Sequence, residues 1–240
     1  MINLTGPTDS QPEGASATTA PDDRSGDAHR QLIGWIGLWL PWILILIAAM
    51  RPEDPTARWT VLDSISGYYY TGAVAAFVGM LVALALFLLT YRGYANKYGW
   101  VDRAAAVTAG LAALGVAFFP TDAPAGFPEM PWWTHTSAVV HYFSAIVLFA
   151  MFAVFCLWLF RLGTSDPAPP DKRRRNHIYV LCGIVILVTM AWAGIAGWKN
   201  KPIFIPESLA LTAFAVSWLT KGRAPRTIAN AVRKTLNKGK

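Results

Sequence analysis

Six stretches of the chain are apolar on every side, and the polar and charged residues are largely confined to the segments between them. The longest uncharged stretch, Thr71 to Tyr91, reaches about 30 Å at about 1.5 Å per residue, the thickness of a bilayer's hydrocarbon core. It predicts a membrane-spanning helix. The same pattern predicts spans at 32–50, 104–119, 137–160, 178–198 and 203–220. Pro41 stands in the middle of the first, where it removes a backbone donor and predicts a kink; Pro120 ends the third and Pro206 interrupts the start of the sixth. Ala106, Ala109, Gly110, Ala113 and Gly115 in the third span, and Ala193 and Gly197 in the fifth, are small enough to let a neighbouring backbone come close.

The expected fold class is therefore all-α: a polytopic bundle of six transmembrane helices over residues 31–221. Residues 1–30 are rich in Ser, Thr, Ala, Gly, Pro and Asp without apolar periodicity, which predicts a disordered tail. No cleavable signal is expected, because the leader is long and acidic and Ala48-Ala49-Met50 runs straight into Arg51. Residues 222–240 form a basic tail in which Ile228, Val232 and Leu236 recur every four positions among Arg226, Arg233, Lys234 and Lys238. Two readings stay open for it: a solvated topology tail, or a short amphipathic helix on an anionic leaflet, at about 1 kcal/mol per basic residue.

Composition sharpens the class. The chain is 54% hydrophobic and 15% charged, against about 25% charged in soluble domains. Its net charge of +7 lies in helix-flanking loops rather than along one soluble face, so nucleic acid is not an expected partner. Lys and Arg number two in the first tail, three after the second span, five after the fourth and seven after Thr220, seventeen in all, against four on the alternate side. The positive-inside rule then predicts both termini in the cytoplasm (N-in/C-in) of a multi-pass protein of the cytoplasmic (inner) membrane. Lys172, Arg173, Arg174, Arg175, Arg233 and Lys234 are expected at its surface. Cys156 and Cys182 lie in apolar runs and read as core residues, not as a disulfide or a thiol metal site.

This topology gathers Asp63, Ser64, Ser66, Tyr70, Asp122, His135, His141 and Glu207 on the outer side, and they form the candidate ligand-binding set. Ionisable groups inside a membrane cost roughly 2.5–3.5 kcal/mol at its centre, so they tend to be paired or functional. Each also has a structural reading. Glu207 after Pro206 is an ordinary helix start, Asp63 and the serines are caps, Tyr68 to Tyr70 form an interfacial belt, and His141 hydrogen-bonds a neighbouring helix. No metallopeptidase, serine-hydrolase, phosphate-loop or dinucleotide motif is present, and no catalytic residue or cofactor is assigned. The favoured function is non-catalytic: binding or organising a lipid or small amphiphile in an outer pocket, with membrane lipids, a membrane protein or a second copy as partners. The alternatives are a metal-dependent hydrolase built on Asp122, His135, His141 and Glu207, and a proton-coupled carrier using His141 and Glu207.

Two segments carry a resemblance. Ser64-Ile65-Ser66-Gly67-Tyr68-Tyr69-Tyr70-Thr71 with Tyr91-Arg92-Gly93-Tyr94, and Glu207 to Gly222 with Phe119-Pro120-Thr121 and His141 to Ala145, resemble a family of uncharacterised bacterial six-helix membrane proteins. More distantly, the layout is similar to the Frag, DRAM and Sfk group, which implies a link to lipid organisation and membrane regulation. It is remotely similar to the alkaline ceramidase and adiponectin-receptor superfamily, whose metal site implies Ser, Asp and three His. This chain departs from that site in having two outward His, His135 and His141.

Overall fold

The computed structural model describes residues 21–51, 59, 61–93, 98–162, 170–224 and 228. They form six helices: α1 (Pro21–Met50), α2 (Val74–Thr90), α3 (Gly99–Phe118), α4 (His135–Leu157), α5 (Pro170–Trp198) and α6 (Phe204–Lys221). Short 3-10 turns at Ser66–Tyr70 and Leu159–Arg161 precede α2 and follow α4. No strand occurs among the described residues. Segments Ser25–Met50, Gly99–Phe118, His135–Arg161 and Lys172–Trp198 are long and apolar enough to cross a membrane. The chain is an integral membrane protein. Its α2 is apolar but shorter, at 17 residues, and α6 has 18.

The helices close into a ring in chain order: each packs on its neighbours in sequence, and α1 meets both α2 and α6. Chain direction alternates around the ring. At one end Gln31 donates to the Gly222 carbonyl at 2.7 Å, His29 to that of Phe87 at 2.7 Å, and Lys221 to that of Phe160 at 3.0 Å. Arg103 there donates to the carbonyls of Leu89 and Tyr91. This is the basic end. At the opposite, acidic end the segment around Asp63 meets the start of α6, and Asp122 meets the start of α4. Between the ends lies an aromatic core in which Phe152 and Phe214 stack at 3.6 Å and Trp218 meets the rings of Tyr91, Phe155 and Phe160 at 5.0–5.2 Å.

Three expectations need correction. Helix α1 begins at Pro21, so residues 21–30 are helical rather than a disordered tail. Proline is pre-shaped for a first turn. The segment is then tied down by Arg30 on Asp27 at 3.0 Å and by His29 and Gln31. Pro41 lies inside α1, which is one helix from Pro21 to Met50. Helix α5 begins at Pro170, so Lys172 to Arg175 are helical and not a loop. Pro206 does not interrupt α6: it sits in the first turn, where an amide lacks an intrahelical partner anyway. Residues 1–20, Arg233, Lys234 and most of the proposed amphipathic tail lie outside the described residues.

The second span starts three residues later than the apolar run does. Thr71 is extended, and its hydroxyl donates to the Tyr68 carbonyl at 2.9 Å while accepting from the Ala73 amide at 3.1 Å. Side-chain bonds of this kind offer the backbone an alternative to helix. They leave α2 to begin at Val74 and set the 3-10 turn over its end.

Candidate functional site

The segment before α2 and the start of α6 cap each other. The Asp63 carbonyl accepts from the Ile203 and Phe204 amides at 2.6 and 2.7 Å, satisfying donors that open α6. In return Glu207, one turn into α6, accepts the Ile65 amide on Oε2 at 2.8 Å, at the mouth of the 3-10 turn. Glu207 therefore serves a neighbouring turn rather than its own helix. Ser64 Oγ accepts from the Gly67 amide at 3.0 Å and lies 3.4 Å from Ser66 Oγ. This arrangement brings Ser66 and Glu207 to one cavity.

That cavity is small, about 50 Å³, and open on one side. Its polar lining is Ser66, His141 and Glu207; the rest is apolar, with Leu40 from α1, Phe77 and Leu81 from α2, Val116 from α3, Leu148 from α4 and Leu211 from α6. Five helices thus share it. The polarity is one-sided. Leu211 lies about 6 Å deeper along α6 than Glu207, and Leu148 and Phe149 lie about 10–12 Å deeper along α4 than His141. The cavity has a polar brim and an apolar floor.

His141 is 2% exposed and holds the Phe119 carbonyl at 2.7 Å. A carbonyl only accepts, so Nδ1 carries the proton; in the neutral ring Nε2 is then an acceptor. Phe119 caps α3, and the imidazole ties the end of that helix to α4.

A second polar group lies above the cavity, over the loop between α3 and α4. Tyr70, 5% exposed, shares its one hydroxyl proton between the Thr121 carbonyl at 2.6 Å and Glu129 Oε2 at 3.0 Å. Glu129 Oε1 accepts the Ala123 amide at 3.0 Å. Thr121 Oγ1 donates to the Tyr142 hydroxyl, which donates to Asp122 Oδ2, both at 2.7 Å. These bonds pin the loop over the bundle. Burial, with Glu129 alongside, pushes the Tyr70 phenol above its usual range. A phenol raised in the folded state keeps its proton while the unfolded chain ionises, so its contribution is full below about pH 10 and is lost as pH rises beyond that. Tyr70→Phe is expected to cost about 1 kcal/mol at pH 8 and to flatten part of the alkaline fall in melting temperature; unfolding scans from pH 8 to 11 check both.

The structure divides the predicted set. Ser66, His141 and Glu207 share the cavity, with Ser64 beside them in the turn. Asp122 and Tyr70 belong to the loop network, whereas the side chains of Asp63 and His135 are exposed. Among the described residues no three His, Cys, Asp or Glu come together as metal ligands. The hydrolase set of Asp122, His135, His141 and Glu207 is therefore corrected: Asp122 is drawn to Tyr142, His135 to the surface, and His141 to the Phe119 carbonyl. Sequence reading passed over Thr121, Glu129 and Tyr142 as site residues. The signal for them was an acid-only loop beside a helix that opens with Thr, His and Tyr.

A family model described as a protein of unknown function, DUF998, matches residues 66–220. The match begins at the 3-10 turn and ends with α6, so it spans Ser66, His141 and Glu207. It agrees with the resemblance to uncharacterised membrane proteins and does not extend to the Frag, DRAM and Sfk group. No curated protein and no solved structure matches the chain.

Proposed function

Since the chain belongs to the DUF998 family, a family without a described function, we propose that it is a non-catalytic protein of the cytoplasmic membrane that binds an amphiphile in its five-helix cavity. The observation that carries this reading is the cavity's polar brim over an apolar floor. Charge supports the orientation: Arg30, Arg103, Arg161, Lys172 to Arg175, Lys221 and Arg223 cluster at the end opposite the cavity, which by the positive-inside rule favours a brim on the outer side. The head group is one that donates hydrogen bonds. Glu207 retains Oε1 toward the cavity, His141 offers an acceptor nitrogen, and no Lys or Arg stands among the lining residues to hold an anionic head. A neutral alcohol head meets these demands, with its acyl chain on the open side of the cavity. The carrier alternative has less support, since Glu207 and His141 are both held by backbone groups rather than by each other.

Ala145 lines the cavity without contributing a polar group, so Ala145→Phe tests occupancy separately from chemistry. In native mass spectrometry of the full chain, monooleoylglycerol is expected to bind at least about tenfold tighter than oleate, and Ala145→Phe to remove that binding while helicity persists. Equal binding of the two probes, or binding unchanged in Ala145→Phe, would overturn the reading.

A further inference from the structure

Helix α1 presents a stripe that the bundle does not cover. Its other face, with Ile33, Gly34, Gly37, Leu40 and Leu44, is buried, and the two glycines lie against Leu219 and Phe214 of α6. On the far side Ser25, Ala28, Leu32, Trp39, Trp42 and Leu46 are exposed, with Trp35 half-buried among them. Alternating steps of three and four residues join all seven, the repeat of a seam on which two parallel helices close.

Lipid alone does not account for this stripe. Ser25–Met50 has 26 residues, about 39 Å of helix, so part of it projects from a hydrocarbon core of about 30 Å into water. At its basic end the polar side chains turn inward: Arg30 and Arg223 take the Asp27 carboxylate, His29 the Phe87 carbonyl and Gln31 that of Gly222. The outward residues of those turns are Ser25 and Ala28, uncharged and small enough for a second backbone to come close. Deeper in, Trp39 and Trp42 lie about 12–18 Å from both Arg30 and Met50, near the centre of the bilayer. Indoles gather at the membrane surface, where the ring N–H finds a partner. The other exposed tryptophans among the described residues obey this, standing in loops or within two turns of a helix end.

We propose that the stripe is a dimer seam, covered by α1 of a second copy of this chain about a two-fold axis along the membrane normal. Copies in one membrane share one orientation, so each seam residue meets its counterpart at the same depth. Trp39 and Trp42 then pack edge to face on the partner's indoles, with ring N–H groups against π-faces. Leu32, Trp39, Trp42 and Leu46 are 45–57% exposed, and at roughly 150–250 Å² for an aromatic side chain the stripe leaves about 500 Å² open per copy. Two copies cover about 1,000 Å², the size at which a specific interface begins. Leu40, which lines the outer cavity, is on the buried face, so this assembly does not depend on what that cavity holds.

The test uses the purified full chain in phosphatidylcholine vesicles, oxidised mildly with copper phenanthroline. Cys156 and Cys182 are buried and stay out of the reaction. A disulfide needs Cα atoms within about 7 Å, so Ala28→Cys is expected to cross-link at least about fivefold more than Arg174→Cys, which is exposed at the same end on α5. Trp39→Leu/Trp42→Leu keeps the stripe apolar and is expected to cut cross-linking of Ala28→Cys at least about fivefold with helicity unchanged. Should that variant fail to fold, the parent chain carries the test: its mass by light scattering, with detergent subtracted, is expected to be twice 26.2 kDa. Equal cross-linking at positions 28 and 174, or undiminished cross-linking in the tryptophan variant, would overturn the proposal. So would a monomeric parent at every concentration, which would leave the stripe to lipid or to a different protein.

Discussion

Gly110→Val is expected to unfold the protein or to lower its melting temperature sharply. A Cβ at position 110 would stand 2.7 Å from Leu89 Cγ and 3.1 Å from the Ala85 carbonyl oxygen of α2. The leucine end can rotate, but the carbonyl belongs to a helix backbone and cannot. Valine adds two further methyl groups, and overpacking of this kind costs about 1–3 kcal/mol or more when a helix must shift. The contact matters because α2 is short and lies between α1 and α3 in the ring. Gly194→Val is the control: a Cβ there meets nothing within 4 Å. Thermal unfolding followed by size-exclusion recovery should separate the two variants clearly. Similar melting temperatures would mean that α2 and α3 do not pack as described.

That close approach was legible in the chain itself, since Ala106, Ala109, Gly110 and Ala113 recur on one helical face and all lie buried in the structure. The apolar runs were legible for the same reason: a long uncharged stretch has few stable conformations other than a helix in a bilayer. Helix ends were not. Pro21 and Pro170 both begin helices inside segments that read as polar loop or tail, because charge hides a helix from any reading based on apolarity. Among the site residues, alternation of direction alone places Ser66, His141 and Glu207 at one end. It does not determine which acids turn inward. Asp122 and Glu207 look alike in sequence, yet one is drawn to Tyr142 and the other to the Ile65 amide, through loop bonds that hydropathy does not encode.

Glu207 joins stability and binding in one side chain, and its variants should separate the two. In Glu207→Leu the Ile65 amide loses its acceptor in a part-buried position, and an unsatisfied donor of this kind costs about 1–3 kcal/mol. The 3-10 turn would then loosen and carry Ser66 with it. In Glu207→Gln the side-chain oxygen can still accept from Ile65, so the melting temperature should fall by less than half as much. The carboxylate is gone in both, however, and both should bind monooleoylglycerol at least about tenfold more weakly than the parent chain. Oleate should not weaken in Glu207→Gln, because the new amide adds a hydrogen-bond donor to the brim. If Glu207→Leu is as stable as the parent, the cap is unimportant to the fold. If Glu207→Gln binds both probes as the parent does, the head group is recognised elsewhere, and the cavity's one-sided polarity does not select its ligand.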